Sequence, residues 1–138
     1  MWVEPRRIYA DEARAIGEEM RLDPDDVTAL VEAVGQSDPA MVLTYDSRPF
    51  VTCGFIPLGV LSDSAYAWMQ WTPEIYDRPV ASTRMCVQVF TEARTRYRRI
   101  FGHCSFGPRP ERLLRRLGAR FSVDPADGRP CYVIGDEL

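Results

Sequence analysis

A long amphipathic segment between two strand-like segments constrains the fold of this chain more than any other feature. From Ala81 to Tyr97, apolar residues recur every four positions, which predicts one face of a helix of about five turns. An aromatic-rich strand pattern at 65–71 precedes this helix, and a short strand pattern at 100–106 follows it. Two strands joined by a long helix require a parallel crossover, which excludes purely helical and purely antiparallel folds.

The rest of the sequence predicts antiparallel hairpins and further helices. Helices are predicted at 11–20, capped by Asp11, and at 24–34, capped by Asp23 and stopped by Gly35. The remaining predicted elements are a short strand at 2–4, a hairpin of 41–45 with 50–58, a short helix at 110–117 stopped by Gly118, and a closing hairpin of 119–123 with 131–134. Together they predict an α/β (α+β) fold, with a mixed central sheet and helices on both of its faces.

Length and composition are those of one globular domain. The 138 residues suffice for a single core, so we expect residues 1–138 to form one domain. With 46% hydrophobic and 27% charged residues, the composition matches neither disordered nor membrane proteins. The sequence contains no apolar run of about 20 residues and no secretory signal pattern. We therefore expect a soluble, intracellular protein without membrane insertion.

The cysteines do not have the spacing of a metal site. Cys53, Cys86, Cys104 and Cys131 form no Cys-x-x-Cys pair, and His103 is the single histidine. We expect four buried thiols and no metal. His103 and Cys104 are neighbours on a predicted strand, so their side chains should point to opposite faces, which argues against a nucleophile and base pair.

The basic residues are all arginine, and they are concentrated in one part of the chain. Residues 79–120 hold 10 arginines and 2 acidic residues, whereas residues 1–78 hold 6 arginines and 14 acidic residues. Part of this has a local cause, because cations complement a helix C-terminus and Glu92 can pair with Arg96. The remainder predicts a partner surface of exposed guanidinium groups. Its residues are Arg94, Arg98, Arg112, Arg115 and Arg116.

Several partners would satisfy such a surface. Acidic helices of a second copy or another protein fit it best, and a coenzyme phosphate comes second. Nucleic acid is less favoured, because the net charge is −3 and no aromatic residues are interleaved with the arginines. Among other candidates, Tyr66, Tyr76 and Tyr97 could each act as a general acid, although packing roles are commoner for such tyrosines.

One stretch resembles a known family. The sequence from Phe106 to Phe121, FGPRPERLLRRLGARF, is similar to the fourth helix of the GCN5-related N-acetyltransferase (GNAT) fold and the Leu-Gly turn after it. More narrowly, residues 41–134 resemble the acetyltransferase-like internal virion proteins of short-tailed bacteriophages. These also have a hairpin, a Trp-containing strand, a basic long helix and a closing helix-Leu/Ile-Gly-Ala-x-Phe segment.

The resemblance implies an acetyl-CoA site, but the sequence departs from the family pattern. The segment at 72–84, which matches the Gln/Arg-x-x-Gly-x-Gly/Ala phosphate loop, contains no glycine. The family's tyrosine, which protonates the leaving thiolate, falls on Leu114, and its asparagine falls on Gly107. The third strand carries Gln70 where a carboxylate base often lies. The resemblance therefore supplies no catalytic residue.

A ligand, if one binds, is expected in the groove where the resemblance makes strands four and five separate. Trp68 and Trp71 lie three positions apart on one strand and should project to opposite faces, so that one faces the core and the other can line this groove. The residues expected to hold acetyl-CoA there are Trp71, Arg78 and Arg84.

Two main hypotheses follow for the function. The first is a catalytically degenerate GNAT-like protein of a tailed phage, found in the host cytoplasm during assembly or in the virion, which acts through contacts with other virion proteins or with itself. The second is an active acyl-CoA-dependent N-acetyltransferase that holds the pyrophosphate with Arg78 and Arg84. A nucleic-acid-binding protein is a third and weaker reading.

Overall fold

The computed structural model describes residues 3–103 and 108–135, in which seven strands form one sheet in the order β1-β2-β3-β4-β5-β7-β6. The strands are β1 (Val3–Ile8), β2 (Ala40–Tyr45), β3 (Arg48–Pro57), β4 (Ser64–Trp71), β5 (Arg99–His103), β6 (Arg120–Val123) and β7 (Pro130–Gly135). The helices are α1 (Ala10–Glu19), α2 (Pro24–Gln36), α3 (Pro79–Arg96) and α4 (Pro108–Arg116), with a 3₁₀ turn at Pro73–Asp77.

The crossover predicted from the sequence is confirmed. Strands β4 and β5 are parallel, α3 connects them, and every other pairing in the described sheet is antiparallel. The α3 helix has 18 residues, which is the predicted five turns. Its buried residues include Cys86, Val89, Phe90 and Ala93, and they pack on the sheet. The mixed sheet predicted from the sequence is therefore correct.

Two helix boundaries differ from the predictions. Helix α1 begins at Ala10 with Tyr9 as N-cap, so Asp11 lies inside the first turn and does not cap the helix. Glu12, at the third helical position, accepts a hydrogen bond from the Tyr9 backbone N–H (3.1 Å). This bond stabilises a helix that starts at Ala10. Helix α2 is capped by Asp23 as predicted, but it continues through Gly35 to Gln36.

The predicted pair of Glu92 with Arg96 is also wrong. Arg96 forms an ion pair with the Asp38 carboxylate, which also accepts a hydrogen bond from Arg7 (3.3 Å). The hydrogen bond to Asp38 raises the pKa of Arg96. Asp38 lies just before β2. Tyr97, the residue after α3, contacts the same segment, because its hydroxyl donates to the Asp38 carbonyl oxygen (2.5 Å). The end of α3 is thus tied to the sheet, and Tyr97 is a structural residue.

Two hydrophobic clusters cover the two faces of the sheet. One lies under α3 and α4 and contains Leu43 and Phe55, and the other lies under α1 and α2 and contains Val42 and Leu30. Consecutive residues of β2, Val42 and Leu43, are both 0% exposed because each faces a different cluster. This arrangement confirms the prediction that helices cover both faces.

The C-terminal elements agree with the predictions. Gly118 has φ +88° and follows the last turn of α4, a conformation that favours glycine over other residues. β6 and β7 form the predicted closing hairpin, whereas the predicted strand at 100–106 ends at His103, and positions 104–107 lie outside the described residues. Among the described helices, none has both the length and the apolar character that a membrane crossing requires.

Candidate functional site

The sheet opens between β4 and β5. The two strands pair at three positions, the last of which joins Tyr66 to Phe101, and the described residues beyond that point show no further pairing. Gly102 lies beside this opening, and a methyl group at its Cα would lie 2.7 Å from the Tyr132 hydroxyl and 2.8 Å from the Ala67 carbonyl oxygen. Glycine is therefore required here because the tyrosine and the β4 backbone approach it so closely.

A cavity of about 500 Å³ lies on the α3 side of the sheet, next to the second half of β4. We call it the β4–α3–α4 cavity. It is lined by Met69, Trp71, Ile75, Tyr76, Pro79, Ser82, Thr83, Cys86, Arg112, Leu113 and Arg116. Most of these side chains are apolar and the charged ones come from α4, which is the usual makeup of a small-molecule site.

The polar groups of this cavity come from two helices. Ser82, in the first turns of α3, is 4% exposed, and among the residues described its hydroxyl has no hydrogen-bond partner. The Ser82 backbone N–H donates to the carbonyl oxygen of Arg78, the residue just before α3 (2.9 Å), so only its hydroxyl is left to donate into the cavity. Arg112 and Arg116 are one turn apart on α4 and line the other wall. This end of the cavity therefore presents hydrogen-bond donors and positive charge.

The residues predicted to bind acetyl-CoA are only partly brought together. Trp71 lines the cavity, and it faces the α3 side while Trp68 packs in the opposite cluster, which confirms that the two tryptophans project to opposite faces. The Arg78 guanidinium lies 3.3 Å from the centre of the Tyr45 ring, and in the part of the chain described neither Arg78 nor the exposed Arg84 belongs to the lining.

The residues predicted as a partner surface divide into two groups. Arg112 and Arg116 line the cavity, whereas Arg94 and Arg98 are exposed at the end of α3. Arg115 donates to Glu111 (2.7 Å) and lies 4.7 Å from the centre of the Phe121 ring. Arg112 and Arg116 are one helical turn apart on a short helix, with the apolar Leu113 between them. This spacing is the sequence signal that could have placed the arginine pair in the site.

Of the three candidate tyrosines, one lies in the cavity and one belongs to a different site. Tyr76 lines the cavity, and Tyr97 is the structural residue described above. Leu114, at the position where the resemblance places a tyrosine, is 8% exposed and belongs to the core. Tyr66 joins a hydrogen-bonded group on the opposite face of the sheet.

This group, the Tyr-His-Asp triplet, consists of Tyr66 on β4, His103 on β5 and Asp124 after β6. The Tyr66 hydroxyl lies 2.9 Å from His103 Nδ1, and Asp124 Oδ2 lies 3.0 Å from His103 Nε2. A hydrogen bond from the Ala126 backbone N–H, and then the bond from His103, lowers the pKa of Asp124. Both imidazole nitrogens are therefore engaged, and the sequence did not indicate this because the three residues are far apart along the chain.

A second carboxylate lies near the same imidazole. Asp127 Oδ2 is 3.8 Å from His103 Nε2, so three potential metal-ligating atoms lie within 4.8 Å of one another. Arg129 Nε donates to Asp127 Oδ2 (2.9 Å), and His103 donates to Asp124. Each of the three atoms that could bind a metal therefore already takes part in a hydrogen bond within the protein. We interpret the group as a hydrogen-bonded network rather than as a metal centre.

The cysteines differ in burial from the prediction. Cys53 and Cys86 are buried as expected, Cys131 is half-buried with Ser122 Oγ 3.2 Å from its sulfur, and Cys104 lies outside the described residues. Cys131 is on β7 opposite Ser122 of the edge strand β6, and neither hydrophobic cluster includes it. Burial raises the pKa of Cys86, which lines the cavity, to about 11. Cys86 is therefore a protonated thiol at neutral pH.

We expect the Cys86 thiol to react slowly with thiol reagents. In a Cys104→Ser variant at pH 8, Cys131 should be modified by Ellman's reagent roughly 100-fold faster than Cys86, because only the thiolate attacks. Cys53, whose pKa is raised further by burial, should react more slowly still. Peptide mapping of the modified protein measures each site. Equal rates at Cys86 and Cys131 would contradict the burial of Cys86.

Comparisons by sequence and by structure give different results. No protein-family model and no curated protein matches the sequence. The structure, however, is similar to that of the GNAT domain of S. lividans PAT, with a TM-score of 0.71 and 16% identity over 96% of this chain and 89% of that one. It is also similar to an acetyltransferase from Thermus thermophilus, with a TM-score of 0.66 and 13% identity over 96% of each chain.

A third similar structure is a chimera of the spermidine N-acetyltransferase SpeG from Vibrio cholerae with hSSAT. Its TM-score is 0.68, with 12% identity over 97% of this chain and 95% of that one. At these identities the likeness concerns the fold. The chain has the GNAT acetyltransferase fold, which confirms the fold expected from the resemblance.

Proposed function

We propose that this chain binds an acyl-CoA in the β4–α3–α4 cavity and transfers the acyl group to an amine. One observation carries the proposal. The cavity combines an apolar wall at Met69, Trp71 and Leu113 with an arginine pair and the first turn of a long helix. An acyl-CoA has the matching chemistry, because an apolar acyl-pantetheine arm is joined to a polyanionic nucleotide.

The donor groups fit the phosphates. Guanidinium groups bind phosphate oxygens through paired, charge-assisted hydrogen bonds, and Arg112 and Arg116 are close enough to act together. The Ser82 hydroxyl, which has no hydrogen-bond partner among the described residues, supplies a further donor from the α3 wall, next to the positive end of that helix. We therefore assign the binding of the coenzyme phosphates to Arg112 and Arg116. The sequence analysis expected Arg78 and Arg84 in this role.

The missing glycines are a smaller obstacle than the sequence suggested. Pro79 occupies the first position of α3, where an N–H has no partner within the helix, so the proline removes no helical hydrogen bond. The side chains that follow at Ala81, Ser82 and Thr83 are small. These leave more room for a phosphate near the backbone than larger side chains would.

Isothermal titration calorimetry with acetyl-CoA tests the proposal. We expect a dissociation constant in the micromolar range, and much weaker binding of acetyl-pantetheine, which lacks the nucleotide phosphates. No detectable heat at millimolar acetyl-CoA would refute the proposal. Equal affinity for the two compounds would refute the role of the arginine pair.

A second candidate function is that of a virion-associated or assembly protein of a tailed phage, with a degenerate fold that acts through protein contacts. It is favoured by the buried Leu114 at the expected tyrosine position and by the exposed arginines Arg94 and Arg98. Mass spectrometry of purified phage particles, together with pull-downs comparing the chain with an Arg94→Glu/Arg98→Glu variant, tests it. Absence from particles and unchanged pull-downs would refute this role.

A further inference from the structure

We propose that the Tyr-His-Asp triplet is the proton-accepting group that deprotonates the acceptor amine. The inference rests on the proposed acyl transfer and assigns the face of the sheet from which the amine approaches. In this assignment Tyr66 contacts the amine, and His103 and Asp124 act through Tyr66.

The hydrogen bonds run in one direction. The ionised Asp124 carboxylate accepts from His103 Nε2 (3.0 Å), and this bond fixes the tautomer whose proton is on Nε2. Nδ1 then carries a lone pair, and it accepts the Tyr66 hydroxyl proton across 2.9 Å. A proton taken up by the Tyr66 oxygen can therefore pass to the imidazole, and the Asp124 charge stabilises the imidazolium.

The triplet lies beside the opening in the sheet. Tyr66 and Phe101 form the last residue pair before β4 and β5 separate. His103 follows Phe101 by two residues on β5. Alternation along β4 puts Tyr66 on the same face as Trp68, which packs in the α1–α2 cluster, whereas Trp71 faces the cavity. In this assignment the acyl donor and the acceptor amine reach the opening from opposite faces of the sheet.

The surroundings favour a neutral tyrosine that relays the proton. Burial raises the pKa of the Tyr66 hydroxyl, against the opposing effect of Arg129. The other charged neighbours come from the β6–β7 hairpin, where Asp127 lies 3.8 Å from His103 Nε2 and is itself paired with Arg129. The Phe101 ring packs edge-on against Tyr66, with ring centres 5.5 Å apart, and supplies no charge.

The proposed step balances. The ammonium form of the acceptor gives one proton to the Tyr66 oxygen while the tyrosine proton passes to His103 Nδ1. The free amine nitrogen then bonds to the thioester carbonyl carbon, and the carbon–sulfur bond breaks. The thiolate leaves with the electron pair and takes a proton from water, and the proton that the amide nitrogen loses also passes to water. The imidazolium finally releases its proton to solvent.

The test compares His103→Gln, which can form hydrogen bonds but cannot accept the proton, with the unmodified chain. The probes are acetyl-CoA with butylamine, a lysine tetrapeptide or spermidine, and product is quantified by mass spectrometry. At pH 7 we expect about a 100-fold loss of kcat/KM for the amine, because general base catalysis contributes 10²- to 10⁴-fold. The loss should shrink at pH 10, where roughly a quarter of the amine is deprotonated without help, compared with less than about 0.1% at pH 7.

Tyr66→Phe should show the same loss and the same recovery at high pH, whereas Tyr9→Phe is the matched control. Tyr9 is 57% exposed at the start of α1, and its change should leave the rate within twofold. Calorimetry with acetyl-CoA is run on each variant in parallel, and we expect the affinity to be unchanged, since the triplet is on the other face of the sheet.

The two proposals fail in distinguishable ways. If the unmodified chain does not bind acetyl-CoA, the proposed function fails, and the inference fails with it. If acetyl-CoA binds and no amine is acylated, the proposed acyl transfer fails together with the inference, and only ligand binding stands. If an amine is acylated and His103→Gln keeps the original rate and pH profile, the inference alone fails. A loss of rate that is equal at pH 7 and pH 10 would indicate a structural role and would also overturn the inference.

Discussion

Replacing Arg112 and Arg116 together by glutamate should weaken acetyl-CoA binding by about 100-fold or more. Each arginine lost removes a charge-assisted contact with phosphate of about 1.5–3 kcal/mol, and each glutamate adds repulsion. Both side chains are exposed at the cavity wall, so we expect the fold to persist. Calorimetry measures the affinity, and circular dichroism checks that the variant is folded.

Two single variants serve as controls for charge. Arg14→Glu changes an exposed residue of α1 on the other face of the sheet, and it should leave the affinity within twofold to threefold. Arg84→Glu changes a residue outside the described cavity lining and should have a smaller effect than the double variant. If Arg84→Glu weakened binding more than the arginine pair did, the phosphates would lie along α3, as first predicted from the sequence.

Phe55→Ala should reduce the free energy of unfolding by about 3–5 kcal/mol, the usual cost of removing a large buried side chain and leaving a cavity. Phe55 is 1% exposed on β3, and its ring packs edge-on against Phe90 of α3 with ring centres 5.3 Å apart. The contact joins the sheet to the crossover helix. Urea denaturation followed by circular dichroism measures the change.

Leu61→Ala is the comparison for this variant, since Leu61 is 99% exposed in the loop between β3 and β4. It also removes an apolar side chain but should change the free energy of unfolding by less than about 0.5 kcal/mol. A loss below about 1 kcal/mol for Phe55→Ala would show that the α3 face of the sheet is not a tightly packed core.

Most of the fold could be predicted because its signals are local. The four-residue period of α3, the Asp23-Pro24 helix start and the glycine after α4 each act within a few residues. The boundary error at the end of α2 has a local cause. Gly35 resembles a stop signal, but the helix continues to Gln36, since the backbone at Gly35 stays helical and the chain leaves the helix only at the extended Ser37.

The site was harder to predict because its contacts join distant parts of the chain. Arg78 could not be excluded from the sequence, because its stacking on Tyr45 depends on how the loop before α3 crosses the end of β2. The Tyr-His-Asp triplet unites residues from β4, β5 and the final hairpin, and no spacing rule connects them.

Strand β2, with Val42 and Leu43 buried on opposite faces, limits how the length of this chain can change. A one-residue insertion or deletion inside β2 would turn every later side chain of the strand to the other face of the sheet. The residues that β2 contributes to one cluster would then point toward the other. The exposed turn at 58–61 carries no such constraint, whereas the turn at 125–129 holds Asp124 and Asp127 beside His103. Length differences among natural variants should therefore be found in the 58–61 turn rather than inside β2.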